Sequence, residues 1–313
     1  MSLSGGGFRG VFSAAFLRHC EEAWPINWCN SFSLIAGTSV GALLAAGLAT
    51  GRSANDLLKA MNTHGPSIFP PRRLHFARRL VGRAPFKTDS LRKAAEDVLG
   101  EKKDMTLAEL KQPLVVTAVD YTDAITVVYT SGGLGSAPNQ DVKLIDVILA
   151  SAAAPTYFPM VKIGPHEHAD GGLVANAPDL VALVKAIEKQ HIDLKHAYML
   201  SMGTASWKEG GLLRKQGDNP GILGALGKRH LVQTIMAAQE SLATQQAQVL
   251  LKDRHLRIDR EPDANQVKTI VDLDNASPAA YKTLSYIAER EWSNWQNREH
   301  IQGDLRLRDF FSR

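Results

Sequence analysis

Ser39 lies in Gly37-Thr38-Ser39-Val40-Gly41, a G-x-S-x-G pattern with an apolar run before it and an alanine- and leucine-rich run after it. A serine hydroxyl can act as a nucleophile when a tight strand-to-helix turn projects it into a cleft. The flanking glycines are needed because side chains there would strike neighbouring backbone. The helix starting at Val40 points its positive end at the reacting carbonyl. The pattern alone is common; the strand before it and the helix after it give it weight.

A second glycine run, Gly5-Gly6-Gly7-Phe8-Arg9-Gly10, has two readings. As G-x-G-x-x-G it matches a dinucleotide-binding fingerprint, which also needs an acidic residue about 20 residues on, at the end of a second strand. Ala36 and Gly37 stand there instead, while Glu21 and Glu22 fall inside a helix. As an oxyanion hole, the run offers the N–H groups of Gly6 and Gly7 to the charge that develops on a carbonyl oxygen. Gly5, Gly6, Gly7, Arg9 and Gly10 are therefore the candidate oxyanion loop, with Arg9 bracing it, meeting an anionic head group or forming a surface ion pair.

A serine nucleophile needs a base. Asp170-Gly171-Gly172 follows a strand and the breaker Gly164-Pro165, which predicts a carboxylate in a loop. A dry site would raise its proton affinity, and a direct hydrogen bond would let it take the hydroxyl proton. Gly37, Gly41, Gly171 and Gly172 are the supporting turn residues. His166 and His168 nearby suggest a metal, but nothing elsewhere in the sequence completes a ligand set. A Ser-Asp-His triad stays open, since His191, His196, His230, His255 and His300 all lie downstream, and so does a catalytically silent lipid-binding or signalling module.

The elements that must position these groups alternate. Ser2–Ser4 read as the tail of a strand cut short. Val11–Trp24 reads as a helix ended by Pro25, Phe32–Ala36 as a strand, and the stretch after the elbow as a helix to about Thr50. Asn55–Asn62 is predicted helical, Gly65–Pro71 a loop, and Ser90–Leu99 and Thr106–Leu110 short helices. Pro113–Val119 and Ala124–Tyr129 read as strands, Leu144–Ser151 as a helix, Met160–Ile163 as a strand and Pro178–Lys189 as a helix. His196–Met202 and His255–Ile258 are predicted strands, and Lys228–Lys252 and Lys282–Asn297 helices. Such alternation implies a mostly parallel sheet covered on both faces, with the active site at the carboxyl ends of strands.

The 313 residues are read as a single domain, 1–313, with 44% hydrophobic and 22% charged residues. A formal charge of +4 does not announce a nucleic-acid polymer as partner. Two cysteines, Cys20 and Cys29, give neither a metal spacing nor a disulfide framework, and no signal peptide is read at the amino terminus. The uncharged stretch Ser31–Gly51 has the length of a membrane span, but Gly37, Thr38, Ser39 and Gly41 at its centre argue for strand, turn and buried helix. A cytoplasmic protein is expected. Arg72–Lys93 holds eight basic residues against the single acid Asp89, with apolar residues between them, as in an interfacial segment, a phosphate pocket or a solvated lid.

Together the G-G-G-x-R-G loop, the G-T-S-V-G elbow and the D-G-G turn resemble the patatin-like phospholipase family. Ser151-Ala152-Ala153-Ala154-Pro155-Thr156-Tyr157-Phe158-Pro159, Leu200–Thr204, His255–Asp259 and Asp272–Asp274 extend the resemblance over nearly the whole chain. The resemblance implies a three-layer α/β/α fold and a Ser39–Asp170 dyad without histidine. It further implies hydrolysis of membrane phospholipid acyl esters at the inner membrane surface with no metal or organic cofactor. Asn176-Ala177-Pro178 departs from the family's two asparagines before the proline. The chain also resembles bacterial patatin-type antiphage effectors, which implies a cyclic-nucleotide activator. The long helix Lys228–Lys252 is expected to serve packing or a subunit contact in a homo-oligomer.

Overall fold

The computed structural model describes residues 1–71, 84–135, 138–206, 228–302 and 306–312. Eight strands form one sheet: β1 (Ser2–Leu3), β2 (Ile35–Gly37), β3 (Leu114–Asp120), β4 (Ile125–Thr130), β5 (Val161–Ile163), β6 (His166–Asp170), β7 (Met199–Met202) and β8 (His255–Ile258). Their order is β5-β6-β3-β2-β1-β7-β8, with β4 also on β3. The run from β3 through β8 is parallel, while β4, β5 and β6 pair antiparallel. The two-residue first strand is therefore central.

Side chains alternate between two cores, as the pleat requires. Ile35, Leu114, Val116, Leu200 and Met202 enter the larger one, beneath helices α1 (Gly10–Ala23), α2 (Val40–Ala49), α3 (Ala54–Ile68), α4 (Thr88–Leu99) and α5 (Leu144–Ser151). Leu34, Ala36, Val115 and Met199 enter the smaller one, against α6 (Asp179–Gln190) and the end of α7 (Lys228–Leu251). This is the expected three-layer α/β/α architecture, followed along the sequence by α8 (Pro278–Gln302) and a short helix, Arg306–Ser312.

Three local expectations are corrected. Asp170 ends strand β6 rather than sitting in a loop. Thr106–Leu110 is a turn, because Leu107 and Ala108 spend their N–H groups on the carbonyls of Val142 and Gln140, and Thr106 bridges Lys143. Gly65 and Pro66 do not end α3, which runs on to Ile68, since a bare Gly65 lets the Phe8 ring pack against the helix.

Candidate active site

The register of β3 brings the two distant residues together. Leu114–Val116 pair with β2, and Ala118–Asp120, further along, pair with β6 running the opposite way. The carboxyl ends of β2 and β6 thus meet beside Thr117. Ser39 follows the first and Asp170 ends the second. Ser39 Oγ donates to Asp170 Oδ2 at 2.7 Å, although 131 positions separate them.

Ser39 has φ 57° and ψ −125°, a backbone region that only a well-braced non-glycine residue holds. The brace is specific. Ser39 N–H donates to Ser151 Oγ at 2.9 Å. Thr38 Oγ1 donates to the Ala175 carbonyl at 2.7 Å, which leaves Thr117 Oγ1 to donate to Thr38, also at 2.7 Å. A Cβ at Gly37 would strike the Gly41 carbonyl, one at Gly41 the Leu3 carbonyl, and one at Gly171 the Thr117 carbonyl. The turn glycines are there for close backbone approach.

Asp170 is fully buried, and burial pushes its carboxyl up to about 7, against the Gly172 N–H and Ser39 hydroxyl that favour the ionised form. Gly172 N–H reaches Asp170 Oδ1 at 2.6 Å. A base with this affinity can hold a hydroxyl proton near neutral pH and give it back.

The glycine loop crosses the same point. Gly5 N–H donates to the Asn176 carbonyl at 2.9 Å and Phe8 N–H to the Leu273 carbonyl at 2.9 Å, whereas Gly6 and Gly7 donate to no carbonyl among the described residues. Gly7 has φ 57°, with the Leu273 carbonyl where a Cβ would stand. Gly10 lets α1 close onto Val40. Arg9 shares a small polar cavity with Gly6, Asn176, Ser206 and Glu240, and its charge favours the Glu240 carboxylate.

On the side of the larger core, Ser39 opens into a cavity of about 50 Å³ with walls from Leu43, Met61, Ile68, Leu91 and Phe158. On the other side lies a buried polar network that composition and motif did not reveal. Arg257 donates to Ser4 Oγ at 2.9 Å, Ser201 Oγ at 2.8 Å, Glu240 at 2.5 Å and Asp259 at 3.0 Å. Asn176 Nδ2 donates to Glu240 at 2.7 Å, and Thr204 Oγ1 to the Gly5 carbonyl at 3.3 Å. Burial raises the Glu240 carboxyl, opposed by Arg257. The long helix α7 reaches both sides: Met236 lines the cavity and Glu240, one turn on, enters the network. Packing or a subunit contact was expected of it.

No described histidine bonds to Ser39 or Asp170. His255 Nε2 pairs with Asp179 at 2.9 Å, and the same carboxylate accepts from Ser2 and Ser201, so this buried Ser-Asp-His group has its serines on the aspartate and not on the histidine. His191 and His196 line none of the Ser39 cavity, and the side chains of His230 and His300 lie outside the described residues. His168 bonds Tyr129 at 2.8 Å. His166 does have neighbours that the sequence hid: Asp120 at 2.8 Å and Asp123 at 3.4 Å, where Asp120 already accepts the N–H groups of Thr122 and Asp123. Of the basic stretch, Lys87, Arg92 and Lys93 are described, with Arg92 on Asp146 at 2.9 Å, and residues 72–83 lie outside the described residues. Among the described residues no helix is long and apolar enough to cross a membrane.

A family profile described as Patatin-like phospholipase matches residues 1–183. A Pseudomonas aeruginosa protein described as a cGAMP-activated phospholipase is 33% identical, covering 91% of this chain and 84% of its own length. An Escherichia coli protein of the same description is 32% identical, covering 91% and 86%. Patatin-like protein 1 of Arabidopsis thaliana is 27% identical, covering 94% and 81%.

Proposed function

Since the chain belongs to the patatin-like phospholipase family, we propose that this lipid acyl hydrolase cleaves membrane phospholipid esters with Ser39 as nucleophile and Asp170 as base. The 2.7 Å bond between their side chains, in a buried site, carries the reading. Ser39 Oγ attacks the ester carbonyl carbon while its proton passes to Asp170. The carbonyl oxygen becomes an oxyanion facing the amides of Gly6 and Gly7, helped by the positive end of α2. Collapse expels the alcohol portion of the lipid, which takes the proton from Asp170 and leaves the acyl group on Ser39. Water then attacks, Asp170 receives its proton, and the fatty acid departs as Ser39 regains its hydrogen. None of these steps uses a metal or an organic cofactor.

A cyclic dinucleotide of the cGAMP type is the proposed activator, and antiphage defence by membrane-lipid cleavage the proposed setting. The names of the bacterial relatives support the activator. So does the Ser39 cavity, which at about 50 Å³ has room for only a few water molecules and must widen before an acyl chain enters. The test is hydrolysis of phospholipid vesicles by the wild type and Ser39→Ala, each with and without cGAMP. Turnover by the wild type alone, raised by cGAMP, is expected. Turnover retained by Ser39→Ala would end the serine reading, and wild-type turnover indifferent to cGAMP would end the activator reading alone.

A further inference from the structure

Behind the Ser39 cavity lies a second apolar space of about 10 Å³, bounded by α2, α3 and α4. Leu43, Met61 and Ile68 are walls of both, so these three side chains are the partition between them. We propose that the two spaces are halves of one channel for the hydrocarbon tail of a long acyl chain, with Met61 as the movable part of the partition. The inference rests on Ser39 as the acylated residue.

Five observations converge. The lining of both spaces is apolar apart from Ser39, Asp170 and the Tyr157 hydroxyl in the first and His64 in the second. His64 bonds Asp97 at 3.0 Å and gives the far end a polar stop, where a methyl terminus has nothing more to gain. Ala60 and Ala94, both buried, leave room between the facing helices where larger residues would close it. Met61 is unbranched and can swing aside at low cost, which Leu43 on rigid α2 cannot do as readily. The last turn of α3 also yields easily, because Pro66 cannot donate to the carbonyl of Asn62, and that turn carries Ile68.

If the channel is real, chain-length preference is set at Met61 and beyond it, far from the reacting atoms. Each methylene buried contributes about 0.8 kcal/mol, which is roughly fourfold in relative rate. The experiment compares kcat/KM for p-nitrophenyl hexadecanoate and octanoate, with cGAMP present, in wild type, Met61→Ala, Ala94→Leu and Ser39→Ala. Met61→Ala should raise the hexadecanoate-to-octanoate ratio at least about tenfold, and Ala94→Leu, which fills the rear space, should lower it by a similar factor. Circular dichroism checks that each variant folds, and because the two variants push in opposite directions either one that folds decides the matter. An unchanged ratio in a folded, active variant overturns the channel while leaving the serine reading intact. Activity surviving in Ser39→Ala overturns both.

Discussion

The glycine loop stands between two unlike flanks. Toward α2, α3 and α4 it meets apolar side chains held by shape alone; toward α7 and β8 it meets Arg257, Glu240, Asp259 and Asn176, held by directional bonds. Dispersion contacts tolerate sliding and repacking, as a site that must admit a flexible chain needs. Charged hydrogen bonds fix position and tolerate little, as a loop needs if its amides are to aim at one oxygen. The loop is bound to the rigid flank, through Gly5 and Ser4, and only leans on the soft one.

The most severe test falls on the residues between the flanks. Asp170→Asn should lower kcat by about 10⁴-fold, measured with a fluorogenic acyl ester, because an amide cannot take the Ser39 proton. In the wild type, activity should fall about tenfold per pH unit below about 7, as the carboxylate is protonated. The same group sets a stability trend of known sign. Its folded affinity lies above the unfolded value, so the folded state holds an extra proton between the two. Stability is greatest below about pH 4, by this term, and is lost as pH rises through about 7. Asp170→Asn should therefore be more stable than wild type at pH 8, by roughly 3 kcal/mol in urea denaturation. A variant both inactive and less stable at that pH would contradict the burial argument.

The rigid flank comes next. Arg257→Met strands the buried Glu240 and the half-buried Asp259 without their cation, and should cost roughly 3–5 kcal/mol in urea denaturation. It should also reduce kcat more than KM is changed, since the loop loses its hold on Ser4. Glu240→Gln, which can still accept from Asn176, should be milder, roughly 1–3 kcal/mol. The soft flank should give the smallest effect. Met61→Leu conserves volume and should cost under about 1.5 kcal/mol, with kcat nearly unchanged on short esters. If Met61→Leu proved as damaging as Arg257→Met, the contrast between the flanks would fail.

Much of the site was legible because its chemistry is local. A nucleophile elbow needs glycines at fixed offsets, and a loop of close amides needs glycines in series; both leave a mark within ten residues. Strand β6 left no such mark. His166-Glu167-His168-Ala169-Asp170 is polar and reads as loop, and it is a strand only because β3 has backbone groups free beyond the end of β2. Thr106–Leu110 erred the other way: Glu109 caps Thr106 as at a helix start, but the next N–H groups are claimed by a neighbouring segment. The metal reading of His166 failed to find Asp120 and Asp123 because register, and not spacing, sets them beside it.

The sequence alone determined which residue types could do the chemistry, the alternation that makes a covered sheet, and the turns that only glycine allows, since these follow from bonded geometry and near neighbours. The tertiary structure decided which aspartate meets Ser39, by laying two strands end to end along a third. It also decided the proton affinity of that carboxylate, because burial is a property of everything packed around a group and of nothing within its own segment.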